Sequence, residues 1–174
     1  AEHVVLATGS VSAALPNLPF GGKVISSTEA LSLPAVPASL AVVGAGYIGL
    51  ELGIAYAKLG AKVTVIEAED RILPAYDAEL VRPVARHLRT LGIEVLTGAR
   101  AAGLTGSGES LRVEGGGRSR YLPADKILVA TGRREDLVNK VAGEIESRGR
   151  RTVRLAADVS DVASLEALKA RTVE

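Results

Sequence analysis

Gly44, Gly46 and Gly49 stand in the spacing G-x-G-x-x-G, and an acid, Glu67, follows 23 residues after Gly44. Glycines at this spacing suit a diphosphate. The first permits a tight turn out of a strand. The second leaves backbone room for an anion, and the third lets the following helix lie close to the sheet. The N–H groups that open that helix, near Tyr47 and Ile48, then point at phosphate oxygens, and the helix dipole adds to the attraction. A carboxylate at Glu67, with Ala68 beside it, is placed to accept hydrogen bonds from both hydroxyls of an adenosine ribose.

That chemistry needs a strand, a helix and a second strand in order. Leu40 to Val43 is an apolar strand. Tyr47 to Leu59 reads as a helix with Ile48, Leu52, Ala55 and Leu59 on one face, and Gly60 stops it. Lys62 to Glu67 is the next strand. A lone G-x-G-x-x-G is weak evidence, but a complete unit from Leu40 to Glu67 is specific for a dinucleotide. Glu67 favours NAD(H) over NADP(H), because two like charges about 4 Å apart repel by roughly 4 kcal/mol at an effective dielectric near 20. The same fingerprint also binds the ADP half of FAD, so FAD is the rival occupant on these residues alone.

Composition narrows the field further. With 47% apolar and 24% charged residues and a formal net charge of +1, the chain can bury a core and has no general field for nucleic acid or membrane. No apolar run approaches the roughly 18 to 20 residues of a membrane helix. No signal peptide is recognisable, and a cytoplasmic location is expected. Cys is absent, which removes disulfides, thiolate nucleophiles and dithiol redox centres. His3 and His87 are the only histidines and lie far apart, so no metal site or Ser-His-Asp triad is expected. The core must come from Val, Leu, Ile and Ala, which suits a parallel sheet covered on both faces.

Outside that unit, His3 to Ala7 reads as a buried strand. Residues 11–39, with Pro16, Pro19, Pro34 and Pro37, read as a surface-running connector with a short helical turn at Ser27 to Leu33. Asp77 caps a helix reaching Leu91, stopped by Gly92 and kinked or delayed by Pro83. Ile93 to Thr97 is a strand, residues 103–122 a small antiparallel meander, and Lys126 to Ala130 another buried strand. VVLATG at Val4 to Gly9 is echoed by LVATG at Leu128 to Gly132. Asp136 to Arg148 has a helical pattern, Val153 to Ala156 is a short strand, and Asp161 caps a helix through Leu168. Arg148, Arg150 and Arg151 read as a solvated turn. The expected fold is α/β, a Rossmann-like three-layer parallel sheet with a small antiparallel meander and an added αβα tail.

Five motifs occur in order: HVVLATGS, VISSTEAL, VVGAGYIGLELG, VTVIEAEDRILPAYD and DKILVATGRR. On them, Ala1 to Arg133 resembles the NAD-binding domain of dihydrolipoamide (dihydrolipoyl) dehydrogenases, in the flavin disulfide reductase superfamily. The resemblance implies that Tyr47 lies near a nicotinamide pocket and gates the flavin, and that Ile48 packs near the nicotinamide. It places Glu51 in the first helical turn on the same side, and Gly132 at the border of the dinucleotide. The family's FAD fingerprint, redox Cys pair and interface domain with its His-Glu pair have no match here. The chain alone is therefore expected to bind NAD(H) and not to turn over dihydrolipoamide, with FAD confined to full-length relatives.

Arg133 to Leu168 resembles instead a piece of a short-chain dehydrogenase/reductase. In that resemblance Asp158 contacts the adenine, Val159 lines its pocket, and Arg133 and Arg134 match positions that favour a 2′-phosphate. The Ser-Tyr-Lys set of that family is not recognisable, and none of Tyr47, Tyr56, Tyr76 and Tyr121 is followed four residues later by Lys. The expected division is an NAD-binding part, 1–133, and an αβα extension, 134–174, completing the same domain, with a chimera as its origin. Two other readings stay open: a self-sufficient NAD(P)-dependent reductase, and a recombined fold with no selected function. The oligomeric state is not legible.

Overall fold

The computed structural model describes residues 11–130 together with residues 146 and 147. Contacts group Ala1–Thr131 as one unit and Gly132–Glu174 as another. The expected strand at His3 to Ala7, the tail elements, Arg133, Arg134, Gly132 and Asp158 lie outside the described residues.

In chain order the elements are β1 (Val24–Ile25), α1 (Ser27–Ala30), β2 (Ser39–Val43), α2 (Tyr47–Lys58), β3 (Lys62–Ile66) and α3 (Ala78–Thr90). Then come β4 (Glu94–Leu96), β5 (Ala99–Leu104), β6 (Ser110–Gly115), β7 (Arg118–Pro123) and β8 (Lys126–Val129). Strands β1-β8-β2-β3-β4, in that spatial order, form a parallel sheet, and β5-β6-β7 form an antiparallel one.

Alternation along each strand explains the layers. Leu40 and Val42 of β2, Val63 and Val65 of β3 and Leu128 of β8 pack in one cluster with Leu50 and Tyr56 of α2 and Val81 and Leu88 of α3. Their neighbours Ala41, Val43, Ile66, Ile127 and Val129 pack in another, with Leu111, Val113 and Leu122 of the meander. Successive side chains point to opposite faces, so a strand covered on both must be apolar throughout. The result is three layers: helices, parallel sheet, meander.

Several sequence expectations need correction. The connector is not confined to the surface, because Leu18, Val24, Ile25, Ser26 and Ala30 are buried and β1 joins the sheet beside β8. A two-residue strand is too short to show a period, so its pairing could not be read. Its helical turn is α1, closed by a capping box in which the Ser26 hydroxyl accepts from the Glu29 N–H and the Glu29 carboxylate accepts from the Ser26 N–H. Pro83 does not delay α3, whose Asp77 cap accepts from the Glu79 N–H.

The meander begins earlier than expected, at Ala99. A bulge between Ala101 and Gly103 is pinned by the Asn17 side chain, which donates to the Ala101 carbonyl at 2.7 Å. The β6–β7 turn is the pair Gly116-Gly117, both at positive φ (57° and 73°), as a two-residue hairpin loop requires. Arg120 of β7 grips Glu94 of β4 through two hydrogen bonds of 2.6 and 3.2 Å. That hydrogen-bonded guanidinium holds the Glu94 carboxyl below its usual range, against the opposing effect of burial.

Candidate functional site

The strand order reverses at β2. From β2 the chain steps outward through β3 to β4 on one side, while β8 returns on the other. In doubly wound sheets such a reversal is where ligands bind, outside the carboxyl ends of the strands. The register Val43↔Ile66 makes Gly44 and Glu67 leave the sheet side by side, and Gly44 N–H donates to the Ile66 carbonyl at 2.8 Å.

Each glycine of the loop answers a different demand. Gly44 lies at φ +103°, where a side chain would be strained. Gly49 faces the sheet, and a Cβ there would collide with the Gly44 carbonyl oxygen and press on Val42 Cγ1 at 3.1 Å. Gly46 has neither reason. Its φ is −74°, open to any residue, and a Cβ on it would meet nothing within 4 Å. Among the described residues no packing requires glycine at Gly46. Its missing side chain keeps the space in front of the α2 start open, and Gly46 gives that helix no side-chain cap.

The Ala45 peptide unit is clamped from both sides. Its N–H donates to Glu67 Oε2 at 2.7 Å, and its carbonyl accepts from the Leu73 N–H at 3.0 Å. The other Glu67 oxygen accepts from the Glu69 N–H at 2.9 Å. Both carboxylate oxygens keep further lone pairs, and Glu67 is half-buried. Leu73 sits at φ +48°, the non-glycine residue with positive φ among those described. Sequence reasoning marked the segment around Leu73 as a motif but missed this clamp. No residue-type signal announces a left-handed leucine.

Tyr47, Ile48, Glu51 and Ala68 are exposed beside the loop, Tyr47 at 49% and Ile48 at 39%. The structure thus brings together Gly44, Gly46, Tyr47, Ile48, Gly49, Glu51, Glu67 and Ala68. The expected helical face does not hold. Ile48, Ala55 and Leu59 are exposed, and α2 instead buries Gly49, Leu50, Gly53 and Tyr56. This helix is apolar almost all round, so its pattern does not select a face. Close approach does, because at Gly53 a Cβ would already stand 3.5 Å from Val63 Cγ1. Tyr56 reaches across and donates its hydroxyl to the Ala30 carbonyl. Two cavities, of about 460 and 510 Å³, flank β4 and do not border the glycine loop. An anion at the loop would lie outside both cavities.

Residues 1–160 match the pyridine nucleotide-disulphide oxidoreductase family. The chain belongs to that family. Among curated relatives, dihydrolipoyl dehydrogenase of Pseudomonas aeruginosa is 56% identical over 133 residues, which is 76% of this chain and 28% of that protein. Dihydrolipoyl dehydrogenase of Geobacillus stearothermophilus is 40% identical over 135 residues, 76% of this chain and 29% of that one. Among solved structures, LpdA of Mycobacterium tuberculosis superposes with a TM-score of 0.61 at 31% identity, covering 72% of this chain and 27% of its own. The HOCl-induced flavoprotein disulfide reductase RclA of Escherichia coli gives 0.60 at 28% identity, covering 72% and 28%.

The chain thus spans under a third of the length of these oxidoreductase relatives. Its parallel sheet with a small antiparallel sheet is the architecture seen in the family's structures. Among the described residues no helix is long and apolar enough to cross a membrane, and no group of acids and histidines could hold a metal ion.

Proposed function

We propose that this chain is the NAD(H)-binding part of a dihydrolipoyl dehydrogenase-like flavoprotein oxidoreductase and acts alone as a binding module in the cytoplasm. The observation that carries this reading is Gly46, a glycine that neither backbone conformation nor packing demands. The diphosphate rests against the amides of Tyr47, Ile48 and Gly49, with the α2 dipole behind them. Glu67 takes the adenosine ribose hydroxyls, already fixed in place by two backbone N–H donors, and Ala68 lines the sugar. Tyr47, Ile48 and Glu51 form the rim towards the nicotinamide, and Gly132 borders the dinucleotide. When bound, the nicotinamide supplies hydride transfer, and this chain's residues only hold and orient it. FAD belongs to the rest of the full-length relatives. No Cys is present to supply a dithiol.

Calorimetric titration of the whole chain with NADH and NADPH tests the reading. NADH is expected to bind more tightly. Glu67→Ala is expected to weaken NADH binding by about 1–3 kcal/mol, for lost hydrogen bonds to a charged acceptor, and to narrow the preference over NADPH. The upper end is favoured, because the change also frees the Ala45 N–H. Tighter binding of NADPH by the unaltered chain would remove the role of Glu67, and no binding of either would remove the function.

Residues 134–174 we assign to an αβα extension with short-chain dehydrogenase/reductase character, joined as a chimera, with Asp158 towards the adenine. What motivates this is that the curated dehydrogenases align over 133 to 137 residues; the oxidoreductase family match runs on to residue 160 and speaks against a different origin for the tail. If the extension completes the same domain, chemical denaturation gives one cooperative transition. A separate transition for 134–174 is the contrary result.

A further inference from the structure

Among the described residues β4 ends the parallel sheet. Its Leu96 carbonyl accepts from the Glu67 N–H on the β3 side at 2.8 Å. By strand alternation the N–H and C=O of Val95 then point away from β3, towards the open edge. Both cavities border this strand, one in each layer, and Val95 and Thr97 line both. The helix-side cavity has an apolar floor that includes Val81, Leu88 and Ile93, and the meander-side cavity is walled by Ala99 and Val113. An edge with unpaired backbone groups and a cavity on each face is the shape that one added strand fills.

Charge identifies the strand. Among the described residues no acid lines either cavity, while Arg71, Arg82 and Arg89 line the first and Arg118 and Arg120 the second. Arg120 is held by Glu94, and among the described residues none of the other four has a carboxylate within ion-pair distance. A second copy of this chain would bring the same arginines against each other. We propose that the β4 edge accepts an extended acidic peptide segment as a sixth strand. Its backbone pairs with Val95, its alternate side chains enter the two cavities, and its carboxylates meet Arg71, Arg82, Arg89 and Arg118. This surface is separate from the glycine loop and does not depend on nucleotide binding.

Fluorescence anisotropy of the full chain with a labelled peptide of alternating Val and Glu tests it. A Val–Lys peptide and an acidic peptide interrupted by prolines serve as controls. The Val–Glu peptide is expected to bind and the controls to bind at least tenfold more weakly. The double change Arg82→Glu with Arg89→Glu is expected to lower affinity tenfold or more at an unchanged melting temperature. Val95→Pro, which removes the outward N–H, is expected to lower affinity by a similar factor. Equal binding of the proline-interrupted peptide would leave charge alone and overturn the strand. Affinity untouched by both variants would overturn the site. No binding of the Val–Glu peptide would make the arginines guards of a solitary edge. Self-association abolished by Val95→Pro would replace the acidic partner by a second copy.

Discussion

Gly46→Asp is expected to raise the melting temperature and to weaken NADH binding a hundredfold or more. The two effects have opposite signs because they act on the same amides. Gly46 is the N-cap of α2 and offers no side-chain acceptor, and a Cβ there meets no atom of the described residues within 4 Å. An aspartate caps the open N–H groups and lies at the positive end of the helix, worth roughly 0.5–1 kcal/mol in peptide-like contexts. For a chain of this size that is a few degrees. The same carboxylate would occupy the space assigned to the diphosphate. Repulsion between like charges about 4 Å apart is roughly 4 kcal/mol at an effective dielectric near 20, which alone exceeds a hundredfold. Thermal melts beside calorimetric titration read both. Undiminished NADH affinity in this variant would mean that the diphosphate lies elsewhere.

The second large effect belongs to Gly49, three residues on in the same motif. Helix propensity predicts that Gly49→Ala stabilises α2 by about 1 kcal/mol. The opposite is expected here. The added Cβ would run into the backbone carbonyl of Gly44, with Val42 Cγ1 at 3.1 Å and Ala130 Cβ at 3.4 Å behind it. A carbonyl in the turn cannot swing away as a side-chain end can, so α2 must lift from the sheet. Overpacking of this kind costs typically about 1–3 kcal/mol. The melting temperature is expected to fall by roughly 5 °C, and NADH binding with it, because the amides of the α2 start move. A rise in melting temperature would show that helix and sheet have slack at this contact. The two substitutions separate a glycine kept for a ligand from a glycine kept for packing.

The strand–glycine turn–helix–strand unit was legible in the residues because its parts are local. A strand, a turn that only glycine makes, a helix and a strand ending in Glu67 occur within one short stretch. The apolar runs at β2, β3 and β8 announced a sheet covered on both faces, since each strand places alternate residues in two cores. The stop at Gly60 and the cap at Asp77 were also readable, because each rests on one residue's backbone or side chain.

What the sequence could not convey are matters of distance between segments remote in the chain. The buried face of α2 was misread from its leucines and isoleucines. The helix rests on Gly49 and Gly53, and a pattern of large side chains does not reveal where small ones permit contact. The left-handed Leu73 and its bond to the Ala45 carbonyl exist only once the loop after β3 folds against the loop after β2. The sequence by itself determined that a glycine turn opens α2 and that an acid ends the strand beside it, because backbone conformation and charge are properties of single residues. Only the tertiary structure decided that, among the described residues, Gly46 has no packing duty and β4 is left an open edge between two cavities. Both depend on which atoms are absent from a place, and absence is defined only after all the neighbours are in position.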